Sequence, residues 1–319
     1  MTFIFGIREI SNCIEMSKNK YDSIFVIGPT ASGKTSLAVQ LAHQLKGEII
    51  SADSRQVYRR MDIGTGKDLK EYMIDNQAIN YHLIDICEPG EKYNIERFYM
   101  DCEQALSEIN KAKKLPIICG GSGLYIETLL KGNEFSSIPK NEVLREKYTD
   151  LEKIELDNLF QEIPNSLREK LDNSSRKKCI RALEIHHFVK ENGLPTARNL
   201  NLNPLIIAPK WDRIHRRERI SLRLKQRLNE GMIEEVQQLL NDGISPEILN
   251  YYGLEYLWIS RYCLGEISLA EMTTQLEIGI HQFAKRQMTW FRRMEKQGFE
   301  IHWLHPKTAL EDALGLFAQ

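Results

Sequence analysis

The residues Gly28-Pro29-Thr30-Ala31-Ser32-Gly33-Lys34-Thr35 fit the pattern G-x-x-x-x-G-K-[ST]. Two glycines allow a curl that turns successive backbone N–H groups inward, Lys34 adds a mobile positive charge, and a helix starting there adds its positive end. Thr35 is the residue type that places a hydroxyl on Mg²⁺. The phosphate cradle is therefore assigned to Gly28, Thr30, Ala31, Ser32, Gly33, Lys34, Thr35 and Ser36. The motif calls for a phosphate or diphosphate but does not choose the compound. ATP in a kinase or ATPase is its default, with Asp85 at the end of Tyr81-His82-Leu83-Ile84-Asp85 as a candidate metal-side acid.

A second chemical candidate is Asp53, which follows an apolar run ending at Ala52 and falls at the strand edge where α/β folds bind ligands. Its carboxylate suits either a proton acceptor or the N-cap of a helix starting near Ser54, and residue type alone leaves the two even. Basic residues gather in three places: Arg176, Lys177, Lys178 and Arg181; Lys210, Arg213, Arg216, Arg217, Arg219, Arg223 and Lys225; and Lys285, Arg286, Arg292, Arg293 and Lys296. Each reads as a solvated helix face or as a track for RNA phosphates.

Elements that position these residues follow from periodicity. Ile24-Phe25-Val26-Ile27 is a short continuous apolar run, as in a strand buried on both faces of a parallel sheet, and a helix over 34–45 should follow it. Further strands are predicted at 48–52, 82–86, 116–119 and 205–208, with a crossover helix over 95–113. Strand signals vanish between about 136 and 200, where helix formers broken by Pro139, Pro164 and Gly193-Leu194-Pro195 predict a helical insertion. Helices over 213–229, 232–241 and 268–296, an edge strand over 299–304 and a polar tail complete the reading. The expected fold is α/β: a P-loop NTPase-like parallel sheet core with helices on both faces and a helical insertion domain. Its parts are a loosely attached extension (1–20, with Met16 an alternative start), a first core part (21–135), the insertion (136–200) and a second core part (201–319).

Composition is consistent with such a chain. Of 319 residues, 42% are hydrophobic and 27% charged, which excludes collagen-like and wholly disordered classes. Lys plus Arg number 43 against 44 Asp plus Glu, so any nucleic-acid surface must be local. The six cysteines lack a C-x-x-C pair, which argues against structural zinc and for buried thiols in a reducing compartment. Arg8 and Glu9 interrupt the apolar start before a signal-peptide core forms, and no later run is long enough for a membrane span, so a cytoplasmic location is predicted.

The segment Asp53-Ser54-Arg55-Gln56-Val57-Tyr58-Arg59-Arg60-Met61-Asp62-Ile63-Gly64-Thr65-Gly66-Lys67, together with the phosphate loop, closely resembles the tRNA dimethylallyltransferase family. The likeness continues through His82-Leu83-Ile84-Asp85-Ile86, Gly120-Gly121-Ser122-Gly123-Leu124-Tyr125, Arg181-Ala182-Leu183-Glu184, Gly231-Met232-Ile233-Glu234-Glu235-Val236 and Lys285-Arg286-Gln287-Met288-Thr289-Trp290-Phe291-Arg292. Such proteins transfer a dimethylallyl group from its diphosphate to N6 of adenosine 37, beside the tRNA anticodon. The resemblance implies a catalytic set of Asp53 as general base, Thr30 near the bridging oxygen, and Arg219 and Arg223 on the diphosphate, with Mg²⁺ on Thr35. It implies a tRNA contact set of Asp53, Ser54, Arg55, Gln56, Ser122, Lys177, Lys178, Arg181, Lys285, Arg286, Gln287 and Arg292. Met288, Trp290 and Phe291 read as core. A monomer acting on the anticodon stem-loop, in the compact bacterial form without a zinc finger, is expected. Rival readings are a prenyltransferase acting on free AMP, ADP or ATP, a P-loop kinase, and a non-catalytic tRNA-binding relative.

The chain departs from the family pattern at three places. Gly253-Leu254-Glu255 stands where Gly-Tyr-Lys or Gly-Tyr-Arg is usual, at a position expected near tRNA and outside the phosphate shell. Lys178-Cys179 replaces Arg-Ile, and Ser122 replaces Thr.

Overall fold

The computed structural model describes residues 20–132 and 134–319; the reading of an N-terminal extension, with Met16 and Cys13, lies outside the described residues but for Lys20. The chain divides into two compact units, residues 20–130 with 201–319, and Lys131–Leu200.

The larger unit is built on β1 (Ser23–Ile27), α1 (Lys34–Leu45), β2 (Glu48–Ser51), a short hairpin of β3 (Met73–Ile74) and β4 (Gln77–Ala78), β5 (Tyr81–His82), α2 (Ile95–Lys111), β6 (Pro116–Gly120) and α3 (Gly123–Lys131). The smaller unit contributes α4 (Glu142–Lys147), α5 (Lys153–Gln161), α6 (Asn165–Arg168) and α7 (Arg176–Asn192). The larger unit resumes with β7 (Pro204–Pro209), α8 (Arg213–Asn229), α9 (Met232–Asn241), α10 (Pro246–Tyr251), α11 (Leu254–Cys263), α12 (Leu269–Lys296), β8 (His302–Leu304) and α13 (Ala309–Phe317).

Six strands form one parallel sheet in the order β5-β2-β6-β1-β7-β8. Alternate residues Ile24, Val26, Ile49, Ile117, Leu205 and Ile207 cluster with Leu37, Ala38 and Leu41 of α1 and with Ala313 and Phe317 of α13. The intervening Phe25, Ile27, Ile50, Ile118 and Ile206 face the opposite way by strand alternation and are equally buried. Burial on both faces explains why these strands read as continuous apolar runs.

Two expectations are corrected and one open alternative is closed. The tail is not merely polar: Ala309, Ala313 and Phe317 recur every four residues and seat α13 on α1, while Glu311 and Asp312 give the outer side its polar look. The strand expected over 82–86 stops at His82, because Leu83 (φ 64°) and Asp85 (φ 58°) turn into the left-handed region and direct Asp85 to buried Lys67. Asp85 is thus an ion-pair partner of Lys67 and not a strand-end acid. No helix starts at Ser54 either; the stretch from Asp53 is a series of turns.

The smaller unit has its own core of Ile138, Leu156, Phe160, Ile163, Leu167, Cys179, Ala182, Leu183 and Ile185. Its buried Glu184 accepts two bonds from Arg145, at 2.6 and 3.0 Å, and one from Arg181 at 3.3 Å.

Candidate active site

The phosphate loop leaves β1 and enters α1 through Gly33, whose φ of 84° favours glycine and whose carbonyl accepts the first helical bond from Leu37. Helix α1 thereby points its N-terminus along the loop. Lys34 is partly buried, and desolvation lowers its pKa, with Arg223 and Arg227 adding to the effect while Cys119 and Asp53 oppose it. Cys119 beside it is held as a neutral thiol, pushed up to about 12 by burial. Ser32 Oγ is buried without a partner in the loop, and such an atom calls for an occupant. With Lys34, Thr35 and the helix end, the donor set fits a diphosphate and its metal ion.

Helix α8 supplies the opposite wall. Arg219 Nε donates to the Ala31 carbonyl at 2.9 Å, and its guanidinium lies 4.5 Å from the Trp211 ring centroid. Arg223 pairs with Asp68, which Arg227 also approaches at 3.5 Å. These arginines, Lys34, Thr35 and Glu71 line a cavity of about 290 Å³. Arg227 lies four residues beyond Arg223 on the same helix face, so the spacing that picked out Arg219 and Arg223 extends to it. It fits because Gly66 carries no side chain; a Cβ there would overlap the Arg227 guanidinium.

Asp53 stands within electrostatic reach of Lys34, at the head of the turns that follow β2. Its Oδ1 accepts the Arg55 N–H at 2.9 Å. The turns are held from below. Fully buried Lys67 donates to the Tyr58 carbonyl at 2.7 Å and pairs with Asp62 and Asp85. Glu235 of α9 accepts the N–H groups of Asp62 and Ile63, both at 2.7 Å, and of Gly64 at 3.0 Å. The Ser54 N–H reaches Ser122 Oγ at 3.3 Å.

Several expected RNA-facing residues have inner roles. Gln287 is buried, accepting the Thr30 N–H at 2.9 Å and donating to the Gly121 carbonyl at 3.0 Å, so its amide joins the phosphate loop to the turn after β6. Gln56 bridges Ser51 Oγ at 2.8 Å and the Gly66 carbonyl at 3.0 Å. Arg181, within the smaller unit, donates to the carbonyls of Phe135 and Ile138 at 2.9 and 2.7 Å. Lys178 pairs with Asp172 at 2.6 Å, and Lys177 is exposed. Lys285, Arg286 and Arg292 are exposed along α12, and Arg216 of α8 feels the charge of Arg292, so two of the three basic clusters share one region. Ser36 is exposed and accepts from Gln40 Nε2 at 3.1 Å. Phe291 is core, and Trp290 packs against Gly123.

Glu255 is the main correction. Far from lying outside the phosphate shell, it lines a second cavity of about 20 Å³, room for about one water, with Thr30, Ala31, Arg223, Arg227, Ile220, Leu224, Met232 and Ile280. Burial raises its pKa, its own backbone N–H, Arg227 and Arg223 pull it down, and Asp53 pushes it up. Leu254 turns instead toward Gly279 of α12.

A parallel sheet, a phosphate loop at its strand edge, an arginine wall and a carboxylate beside the loop lysine define a P-loop-type group-transfer enzyme. Residues 56–294 match the IPP transferase family and residues 22–85 the isopentenyl transferase family. The chain belongs to the IPP transferase family. It is 53% identical to tRNA dimethylallyltransferase 1 of Azobacteroides pseudotrichonymphae, over 91% of this chain and 94% of that one. It is 51% identical to tRNA dimethylallyltransferase 2 of Phocaeicola vulgatus, over 92% and 95%. The full-length tRNA isopentenylpyrophosphate transferase of Bacillus halodurans superposes with a TM-score of 0.68 at 29% identity, covering 93% of this chain and 96% of that one. A eukaryotic dimethylallyltransferase acting on tRNA shares the fold, with a TM-score of 0.73 at 22% identity over 89% and 73%. Among the described residues no helix is long and apolar enough to cross a membrane.

Proposed function

We propose that this chain transfers the dimethylallyl group of dimethylallyl diphosphate to N6 of adenosine 37 in the anticodon stem-loop of tRNA, releasing diphosphate. The observation that carries the reading is Asp53, at the head of the turns after β2, lying close enough to Lys34 of the phosphate loop for the two charges to act on each other, which suits a proton acceptor and a diphosphate cradle serving one reacting centre. The adenine amine is a weak nucleophile because its lone pair is delocalised. As N6 bonds to the allylic C1, the C1–O bond breaks, its electron pair leaves with diphosphate, and Asp53 takes the N6 proton. Loop N–H groups, Lys34, Arg219 and Arg223 receive the charge building on the leaving oxygens. Thr35 would hold Mg²⁺, which, when bound, neutralises part of that charge. Gln287 bonds the backbone at Thr30 and at Gly121, and so holds the residue proposed to lie near the bridging oxygen in register with the turn carrying Ser122. A tRNA substrate sets its workplace in the cytoplasm.

The test is mass spectrometry of tRNA nucleosides after incubation with dimethylallyl diphosphate and Mg²⁺. A mass gain on adenosine 37 is expected. Transfer to free AMP with unmodified tRNA would overturn the assignment of the acceptor.

A further inference from the structure

Arg55 and Tyr251 come from the turns after β2 and from the end of α10, and their side chains meet with the guanidinium carbon 4.8 Å from the ring centroid. The pair borders the proposed proton acceptor, because the Arg55 N–H is the group bonded to Asp53. Tyr125 of α3 feels the charges of Tyr251, Arg55 and Asp53 together.

The surrounding tyrosines are core: Tyr58, Tyr93, Tyr252 and Tyr256 are all buried, whereas Tyr251 keeps 52% of its surface exposed. Its ring is nevertheless fixed. The hydroxyl donates to the Tyr93 carbonyl at 3.4 Å, and Tyr252 meets the ring edge-on at 5.7 Å and 72°. An anchored, half-exposed ring under a guanidinium is a stacking surface of the kind single-stranded bases use, since every base has a π-face. Turning the target adenosine out of its stack also strips a stacking partner from its neighbour.

We propose that Arg55 and Tyr251 form the platform on which the nucleobase flanking the target adenosine stacks. This rests on the function proposed above and adds the residues that hold the adjoining nucleotide. It also accounts for the missing aromatic at Leu254: that side chain packs toward Gly279, and the exposed ring beside Arg55 comes from Tyr251 on the preceding helix.

The test is steady-state transfer to an anticodon stem-loop RNA and to two versions with an abasic site immediately 5′ or 3′ of the target. Wild type, Tyr251→Phe and Tyr251→Ala are compared. Tyr251→Ala should raise KM for the intact RNA about 10-fold, within the range for loss of one base–aromatic stack, with kcat and the diphosphate KM within about twofold. Tyr251→Phe, which keeps the ring and loses only its bond to the Tyr93 carbonyl, should recover most of the RNA affinity that Tyr251→Ala loses. One abasic RNA should raise KM for wild type and abolish the difference between wild type and Tyr251→Ala. Arg55→Lys, which keeps the charge but loses the plane, should raise KM for the intact RNA and not for that abasic one. Additive effects on both abasic RNAs, or an unchanged RNA KM in Tyr251→Ala, overturn the platform while leaving an active wild type and the proposed function standing. No transfer by wild type to any stem-loop overturns both.

Discussion

Replacing Asp53 by Ala removes the proposed proton acceptor and leaves the phosphate loop as it is. Turnover should fall about 10²-fold or more with diphosphate affinity nearly unchanged, read from kcat and a diphosphate titration; a preserved kcat would remove Asp53 from the chemistry. Glu255 carries a second expectation. Its pKa is raised on folding, so the folded chain binds a proton more tightly than the unfolded one, and stability falls as pH rises from about 4.5 through the folded value. Glu255→Gln should therefore raise Tm by a few degrees at pH 7, with the gain shrinking toward pH 4; a gain independent of pH would show that charge burial is not the cause. The phosphate loop was legible because its spacing is local. Arg227 was legible in principle from the same four-residue period as Arg219 and Arg223. Glu255 and the Gln287 bridge were not, since Gln287 meets Thr30 across 257 positions and only the folded chain brings them together.

At the scale of elements, edge strand β5 is held to β2 by more than its short ladder. Glu48 accepts from Lys114 at 2.7 Å and Asn80 at 2.9 Å and pairs with His82 at 2.8 Å. Burial works to raise its pKa, but these three partners outweigh it and hold the carboxyl at about 2. A depressed value contributes stability above about pH 4.5 that is lost as pH falls toward about 2, of order 3 kcal/mol for this shift. Acid titrations of wild type and Glu48→Gln, followed by denaturant melts, should show a flatter acid limb in the variant; equal slopes would refute the linkage. Long periodic elements such as α8 and α12 could be read from sequence nearly to the residue. The turns from Asp53 to Lys67 could not, because their shape is set by Lys67, Glu235 and Asp85 and not by local propensity. The β3–β4 hairpin has a local signal in Asp75-Asn76, both at positive φ, which a search for apolar runs passes over.

Across the whole molecule the charge is nearly balanced, yet α8 and α12 gather cations: burial lowers the pKa of Arg216, and Arg292 and Arg213 add to the effect. If this region tracks tRNA phosphates, Arg216→Ala with Arg292→Ala should flatten the slope of log affinity against log salt by up to about two units without altering diphosphate affinity. An unchanged slope would move the RNA surface elsewhere. The sheet order has a consequence for the chain as it is made. Strand β1 is central, pairing with β6 on one side, while its other neighbour, β7, begins at residue 204, long after β6 ends at residue 120. At a synthesis rate of about 5–20 residues per second, that edge of Ser-Ile-Phe-Val-Ile stays open for roughly 9–35 s after β1 is made, the last roughly 4–17 s of it after β6. The intervening Lys131–Leu200 unit, with its own core, emerges during that interval, so the nascent chain passes through a stage with one compact helical body complete and the central strand still seeking a partner.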